Sequence, residues 1–169
     1  MVSKEVEKLL LKVQKPGRYV GGELNEVIKD KKKVDCRFAF CFPDTYEVGM
    51  SHLGMKILYS LMNAVPYIWC ERVFAPWVDM EEEMIKHNIP LYALESGGRV
   101  SDFDFIGFTL QYELSFTNML NMLRLSGVPI KSCDRKELKN IVVACGPCAC
   151  IPEPIAYFVD IFFIGEGEE

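Results

Sequence analysis

The chain has 169 residues, of which 50% are apolar, 12% aromatic and 25% charged, a composition that excludes a disordered, collagen-like or low-complexity polypeptide. A formal net charge of −5 at pH 7 argues against broad nucleic-acid binding, which needs a basic face. No apolar run approaches the roughly 20 residues that cross a bilayer, and the N-terminus mixes both charge signs without a signal-peptide pattern, so a soluble, cytoplasmic protein is expected.

Residues 4–15 place Val6, Leu9, Leu10 and Val13 on one helix face, with Ser3 as N-cap and Pro16-Gly17 as the stop. The polar segment from Arg18 to Lys33 reads as a solvated linker, so residues 1–33 form a helix and linker arm ahead of a domain over 34–169. Cys36–Phe42 is a short, nearly continuous apolar run ended by Pro43-Asp44, and a helix follows over Leu53–Met62. A second apolar run covers Cys70–Phe74. Val78–Lys86 then reads as a helix whose acidic residues come early, where the helix dipole favours them. Leu91–Leu94 and Phe103–Leu110 are strand candidates, a helix spans about 115–125, and Gly127-Val128-Pro129 ends it. Ile141–Ala144 and Ile161–Ile164 complete the series. Short apolar strands alternating with helices predict an α/β fold: a doubly wound, mainly parallel sheet of five or six strands, Rossmann-like or flavodoxin-like.

Open sheets of this type bind ligands beyond the carboxyl ends of their strands. Here those ends carry residues 43–54, 111–115, 145–149 and 165–169, and three of the four segments contain glycine, which lets backbone approach a ligand closely. The first βα turn lacks GxGxxG and Gly165-x-Gly167 is only a fragment of it, so a nicotinamide or flavin site has little support. The seven cysteines (36, 41, 70, 133, 145, 148 and 150) are expected to be reduced, with Cys36 and Cys41 acting as small apolar residues. Cys145-x-x-Cys148-x-Cys150 offers three thiols, but a closed zinc site wants four ligands in paired spacing, and three thiols in a tight turn is the preferred reading. No metal site is assigned. His52, just after the first strand, is either an axial ligand or proton-transfer group, or simply a polar residue near a helix start. His87 suits the carbonyl end of its helix. Glu113 is a candidate cleft carboxylate with no sequence partner, and no nucleophile–base pair is recognisable.

Taken together, several segments resemble a known family. They are Lys15–Glu23, Phe42–Gly54, Glu71–Trp77, Gly107–Leu114, Gly146–Ala149, Pro152-Glu153-Pro154 and Gly165–Glu169. The pattern resembles the N-terminal cobalamin (B12)-binding-like domain of an uncharacterised radical SAM protein family. The resemblance implies a B12-binding type of α/β fold and a following radical SAM barrel as partner. In that barrel a Cys-x3-Cys-x2-Cys motif holds a [4Fe–4S] cluster that cleaves S-adenosylmethionine. No such spacing occurs here, so the chain is expected to be a fragment that ends before the barrel and does no radical chemistry by itself.

Cobalamin domains that ligate through histidine carry Asp-x-His-x-x-Gly. Here Met50 stands two before His52 and Met55 three after it, so the resemblance implies His-off cobalamin. A second departure is Cys145, where the pattern has glycine. The resemblance places the corrin over Gly49, Ser51, His52, Gly54, Thr109, Gln111, Glu113, Cys145, Gly146, Pro147, Gly165 and Gly167, with Thr109, Ser51 and Ser115 offering hydroxyls to the nucleotide tail. The expected function is therefore a cobalamin module of a radical SAM enzyme, and the alternative is a degenerate module that has lost the cofactor and docks a partner. A third reading is a stand-alone metal-binding domain using the cysteine trio. Apolar surface left by an absent barrel would also allow self-association.

Overall fold

The computed structural model describes residues 3–165. Five strands, β1 (Cys36–Phe42), β2 (Ile68–Phe74), β3 (Phe105–Thr109), β4 (Ile141–Cys145) and β5 (Ile161–Phe162), form one sheet in the order β2-β1-β3-β4-β5, with every neighbouring pair parallel. The helices are α1 (Lys4–Leu10), α2 (Tyr46–Ser51), α3 (Leu53–Ala64), α4 (Val78–Lys86) and α5 (Ser115–Ser126). This is the doubly wound α/β architecture expected, with five strands.

The period-2 geometry of a strand explains why β1 reads as almost wholly apolar: its two faces bury different sets. Ala39 and Cys41 join a core built with Val6 and Leu9 of α1, Met80 and Met84 of α4, and Met119 and Met122 of α5. Phe40 and Phe42 join the opposite core, with Met55 and Tyr59 of α3, Cys70 and Phe74. Burial pushes the Cys41 thiol well up, as expected of a small apolar residue, and does the same at Cys70. Cys36, expected to behave like Cys41, is only half-buried, and its thiol is raised by that burial and by the nearby Asp104. Gly107 of β3 is where the Phe38 ring lies, so that no side chain fits on that face of the strand.

Local chemistry sets several boundaries. Ser3 caps α1 by accepting from the Val6 amide, α4 occupies Val78–Lys86 as its acidic first turn predicts, and α5 ends on Gly127 in the left-handed conformation. Leu91–Leu94, expected as a strand, forms none. The Leu94 amide donates once to Arg72 O, and an isolated antiparallel bridge pairs Tyr92 with Arg99. The chain turns back at Gly97, with φ +67°, before a ladder can extend.

Edge strand β2 is closed to further pairing. Lys29 Nζ donates to Ile68 O at 2.5 Å, the Asn63 amide side chain pairs with both N and O of Cys70, and the Arg72 amide donates to Glu95 at 2.7 Å. Residues 20–33, expected as a solvated linker, contain no helix or strand and form a strap over this side of the sheet. Val27 N donates to the Tyr59 hydroxyl at 2.8 Å, and Trp69 Nε1 donates to Val27 O at 3.0 Å. Among the described residues no helix is long and apolar enough to cross a membrane.

Candidate functional site

The strand order reverses between β1 and β3, and the crevice above that point is where a ligand of such a sheet would enter. The chain's own side chains bridge it. Tyr112, after β3, donates its hydroxyl to Asp44 Oδ2, after β1, at 2.7 Å; this bond, more than burial, raises the Tyr112 pKa. Asn118 Nδ2, on α5, donates to Pro43 O at 3.1 Å. Neither Asp44, Tyr112 nor Asn118 was singled out from the sequence. Asp44 and Tyr112 lie 68 positions apart, and only the β1/β3 pairing brings them together.

The expected site residues fall into two groups. Thr109 and Cys145 are register partners on β3 and β4, and Gln111 Nε2 donates to Thr109 Oγ1 at 2.7 Å. Gly146 follows, at φ +94°, with Pro147 opening the next turn; Leu110 N donates to Cys145 O, and Cys148 N donates to Leu110 O. Glu113 is exposed beyond β3. The second group lies at the α2–α3 junction. His52 Nδ1 accepts from the Met55 amide at 3.1 Å and caps α3, its ring beside Phe42. This is a structural task for that nitrogen. Ser51 Oγ donates to Val48 O, and Gly54 packs under the His52 ring. Gly165 is open, with no atom within 4 Å of where a Cβ would stand, and Gly167 lies outside the described residues.

A corrin laid across these strand ends needs a cradle of small residues and free hydroxyls, and the described residues do not fit that requirement. A Cβ at Gly49 would run into the Phe74 ring, and one at Gly146 would sit 2.7 Å from Leu110 O. The space these glycines leave is taken by the chain itself. Ser51 and Ser115 donate their hydroxyls to Val48 O and Tyr112 O, and Thr109 Oγ1 accepts from Gln111 Nε2. In the cysteine trio, Cys145 Sγ faces Phe108 O, Cys148 is buried and Cys150 is exposed. Among the described residues no group of three or more His, Cys, Asp or Glu side chains is arranged to hold a metal ion.

Gly146 offers a direct check. Alanine there is strained by the positive φ and meets backbone it cannot displace, so Gly146→Ala is expected to cost about 1–3 kcal/mol in a urea melt. An unchanged midpoint would show that the turn has room to spare.

What the strand ends do present is apolar surface. Leu114 after β3 is 81% exposed, Ile151 after β4 54%, and Phe163 and Ile164 after β5 47% and 62%. Trp77 and Val78 after β2 and Val48 after β1 continue the row.

Fold and site thus define a doubly wound α/β module whose strand-end face exposes apolar side chains and is bridged by its own polar ones. The chain belongs to the family of N-terminal domains of radical SAM proteins, whose model matches residues 54–169. It is also 38% identical, over 131 residues, to the uncharacterized protein MJ0966 of Methanocaldococcus jannaschii. That alignment covers 77% of this chain and 24% of the relative, so the chain spans about a quarter of that protein's length.

Proposed function

We propose that this chain is a non-catalytic docking module that seats the barrel of a radical SAM protein on its strand-end face. In this reading the barrel holds the [4Fe–4S] cluster and S-adenosylmethionine, and the present residues contribute position and cover. The observation that carries it is the row of exposed apolar side chains following all five strands, from Trp77 across to Ile164. Exposed apolar side chains gathered at one end of a sheet mark an interaction site. The hydrogen-bonded Asp44 and Tyr112, and the exposed Glu113, give this face polar groups among the apolar ones.

The finer alternative is a cobalamin module, and the β1/β3 reversal favours it, because that is where open α/β sheets bind ligands. The hydroxyls that Ser51 and Ser115 donate within the chain, and the packing of Phe74 and Leu110 against Gly49 and Gly146, weigh against it. Hydrogen–deuterium exchange separates the two. In a longer protein made by joining this chain to such a barrel, amides of residues 112–116, 148–151 and 161–165 are expected to exchange at least tenfold more slowly than in the 169-residue chain alone. Leu114→Asp in the longer protein should remove that protection, while Leu138→Asp, at a distant and 94% exposed position, should not. Equal exchange in both proteins sinks the docking reading. Stoichiometric hydroxocobalamin retained by the 169-residue chain after desalting would put the cofactor reading in its place.

A further inference from the structure

A cleft of about 740 Å3 opens between the strap and helices α2 and α3, within the size range of small-molecule pockets. Arg72 of β2 lines it and is only 6% exposed. Its Nε donates to Glu95 Oε1 at 2.6 Å, its Nη2 donates to Glu23 Oε2 at 3.0 Å, and its face lies over the Tyr59 ring. The third nitrogen, Nη1, has the Met50 thioether sulfur at 3.3 Å, a weak acceptor for a guanidinium. The two carboxylates are held differently. Glu95 is fully buried and also receives the Arg72 backbone amide, whereas Glu23 sits on the strap, outside any helix or strand. Met50, Met55, Tyr59 and Val27 give the cleft apolar walls, and Lys56 adds a cation.

We propose that this cleft binds a small organic anion with an apolar body, whose carboxylate takes Arg72 in place of Glu23. A guanidinium prefers a carboxylate that engages two of its nitrogens in parallel. A ligand entering from the cleft reaches Nη1 and Nη2 together, replacing a thioether contact with a charge-assisted bond. The exchange swaps one carboxylate for another, so the buried cluster keeps its charge and no unpaired ion is left behind. Glu23 passes into solvent with its part of the strap. The apolar body lies along Met50, Met55 and Tyr59, the remaining walls of the cleft. The inference does not depend on the docking reading, because it uses neither the strand-end surface nor the barrel.

The Trp69 indole reports on the site, since its N–H donates to Val27 O on the strap. Trp77, which stacks under Arg18, serves as the internal reference. In a 15N–1H NMR titration of the 169-residue chain with hexanoate, saturable shifts are expected at the Trp69 indole and the Val27 amide, with the Trp77 indole unmoved. Hexanamide, of equal shape without the charge, should need at least tenfold higher concentration. Glu23→Gln removes the competing carboxylate and should lower the half-saturating hexanoate concentration about tenfold. Ser60→Trp, on an exposed position of the α3 wall, should abolish the shifts while leaving a folded spectrum. Three results would overturn the proposal: no saturable shift at Trp69, equal response to hexanamide, or weaker hexanoate binding in Glu23→Gln.

Discussion

Arg37→Ala is expected to cost about 3–5 kcal/mol, the usual penalty for removing one partner of a buried ion pair. Glu71 is wholly buried on β2, and Arg37 reaches its Oε1 from Nη2 at 2.6 Å and from Nε at 3.2 Å. The other oxygen accepts the Ser96 amide at 3.0 Å. Arg37 also lies over the Phe103 ring at 4.0 Å and donates to the Ser96 hydroxyl, so its loss strips the carboxylate of its counterion and opens a hole beside Phe103. At roughly 2–4 °C per kcal/mol for a domain of this size, the melting temperature should fall by about 10 °C. The double change Arg37→Met with Glu71→Leu should recover most of that loss, since it leaves no charge unpaired. A single variant that melts within a degree or two of the native chain would show that Glu71 finds another partner.

A pH effect near neutrality is expected from Glu95. Burial pushes its pKa from 4.5 up to about 7, against the pull of the Arg72 guanidinium. A folded-state pKa above the unfolded value means that folding takes up a proton between about pH 4.5 and 7. The contribution is therefore fully present below pH 4.5, declines as pH rises through 7, and is absent by pH 8. Its size is of the order of 3 kcal/mol. Urea melts of the native chain and of Glu95→Gln, at pH 5, 6, 7 and 8, isolate it: the native stability should fall relative to the variant across that range. Parallel profiles would place the Glu95 titration at the ordinary carboxylate pH. At the exposed Glu47, bonding to Arg18 does the opposite, holding its carboxyl down at about 2.

The regular elements were legible wherever a local rule sufficed. Met80 and Met84 four apart behind an acidic turn define α4, and an apolar run broken only by Arg37, between charged and proline-bearing flanks, defines β1. Legibility stopped where a residue's state depends on a distant one. Helix α2 went unseen because Gly49 and Ser51 are poor helix formers, and the Gly49 position is stabilised by the fit of its bare Cα against the Phe74 ring on β2. Ile68 and Trp69 escaped assignment to β2 because their strand pairing with Cys36 and Arg37 is non-local. The strap looked like a linker because its anchors, to Tyr59, Trp69 and Arg72 and from Lys29 to the carbonyls of Asn63, Val65 and Ile68, leave no periodic trace.

The candidate site divides in the same way. Sequence alone determined that the strands are buried on both faces, hence parallel and covered by helices, and that glycines, His52 and the cysteine trio fall at or near the carboxyl ends of strands. Spacing along the chain carries that much, because alternation and helix period are local properties. Only the tertiary structure decided what those residues face. Gly49 and Gly146 make room for Phe74 and Leu110, His52 caps a helix, and Asp44 and Tyr112 close the crevice between β1 and β3. It also decided that Glu23 meets Arg72 across 49 positions to form the cleft. Those outcomes depend on which side chains close packing brings into contact, and contacts between residues dozens of positions apart leave no signature in either one's neighbourhood.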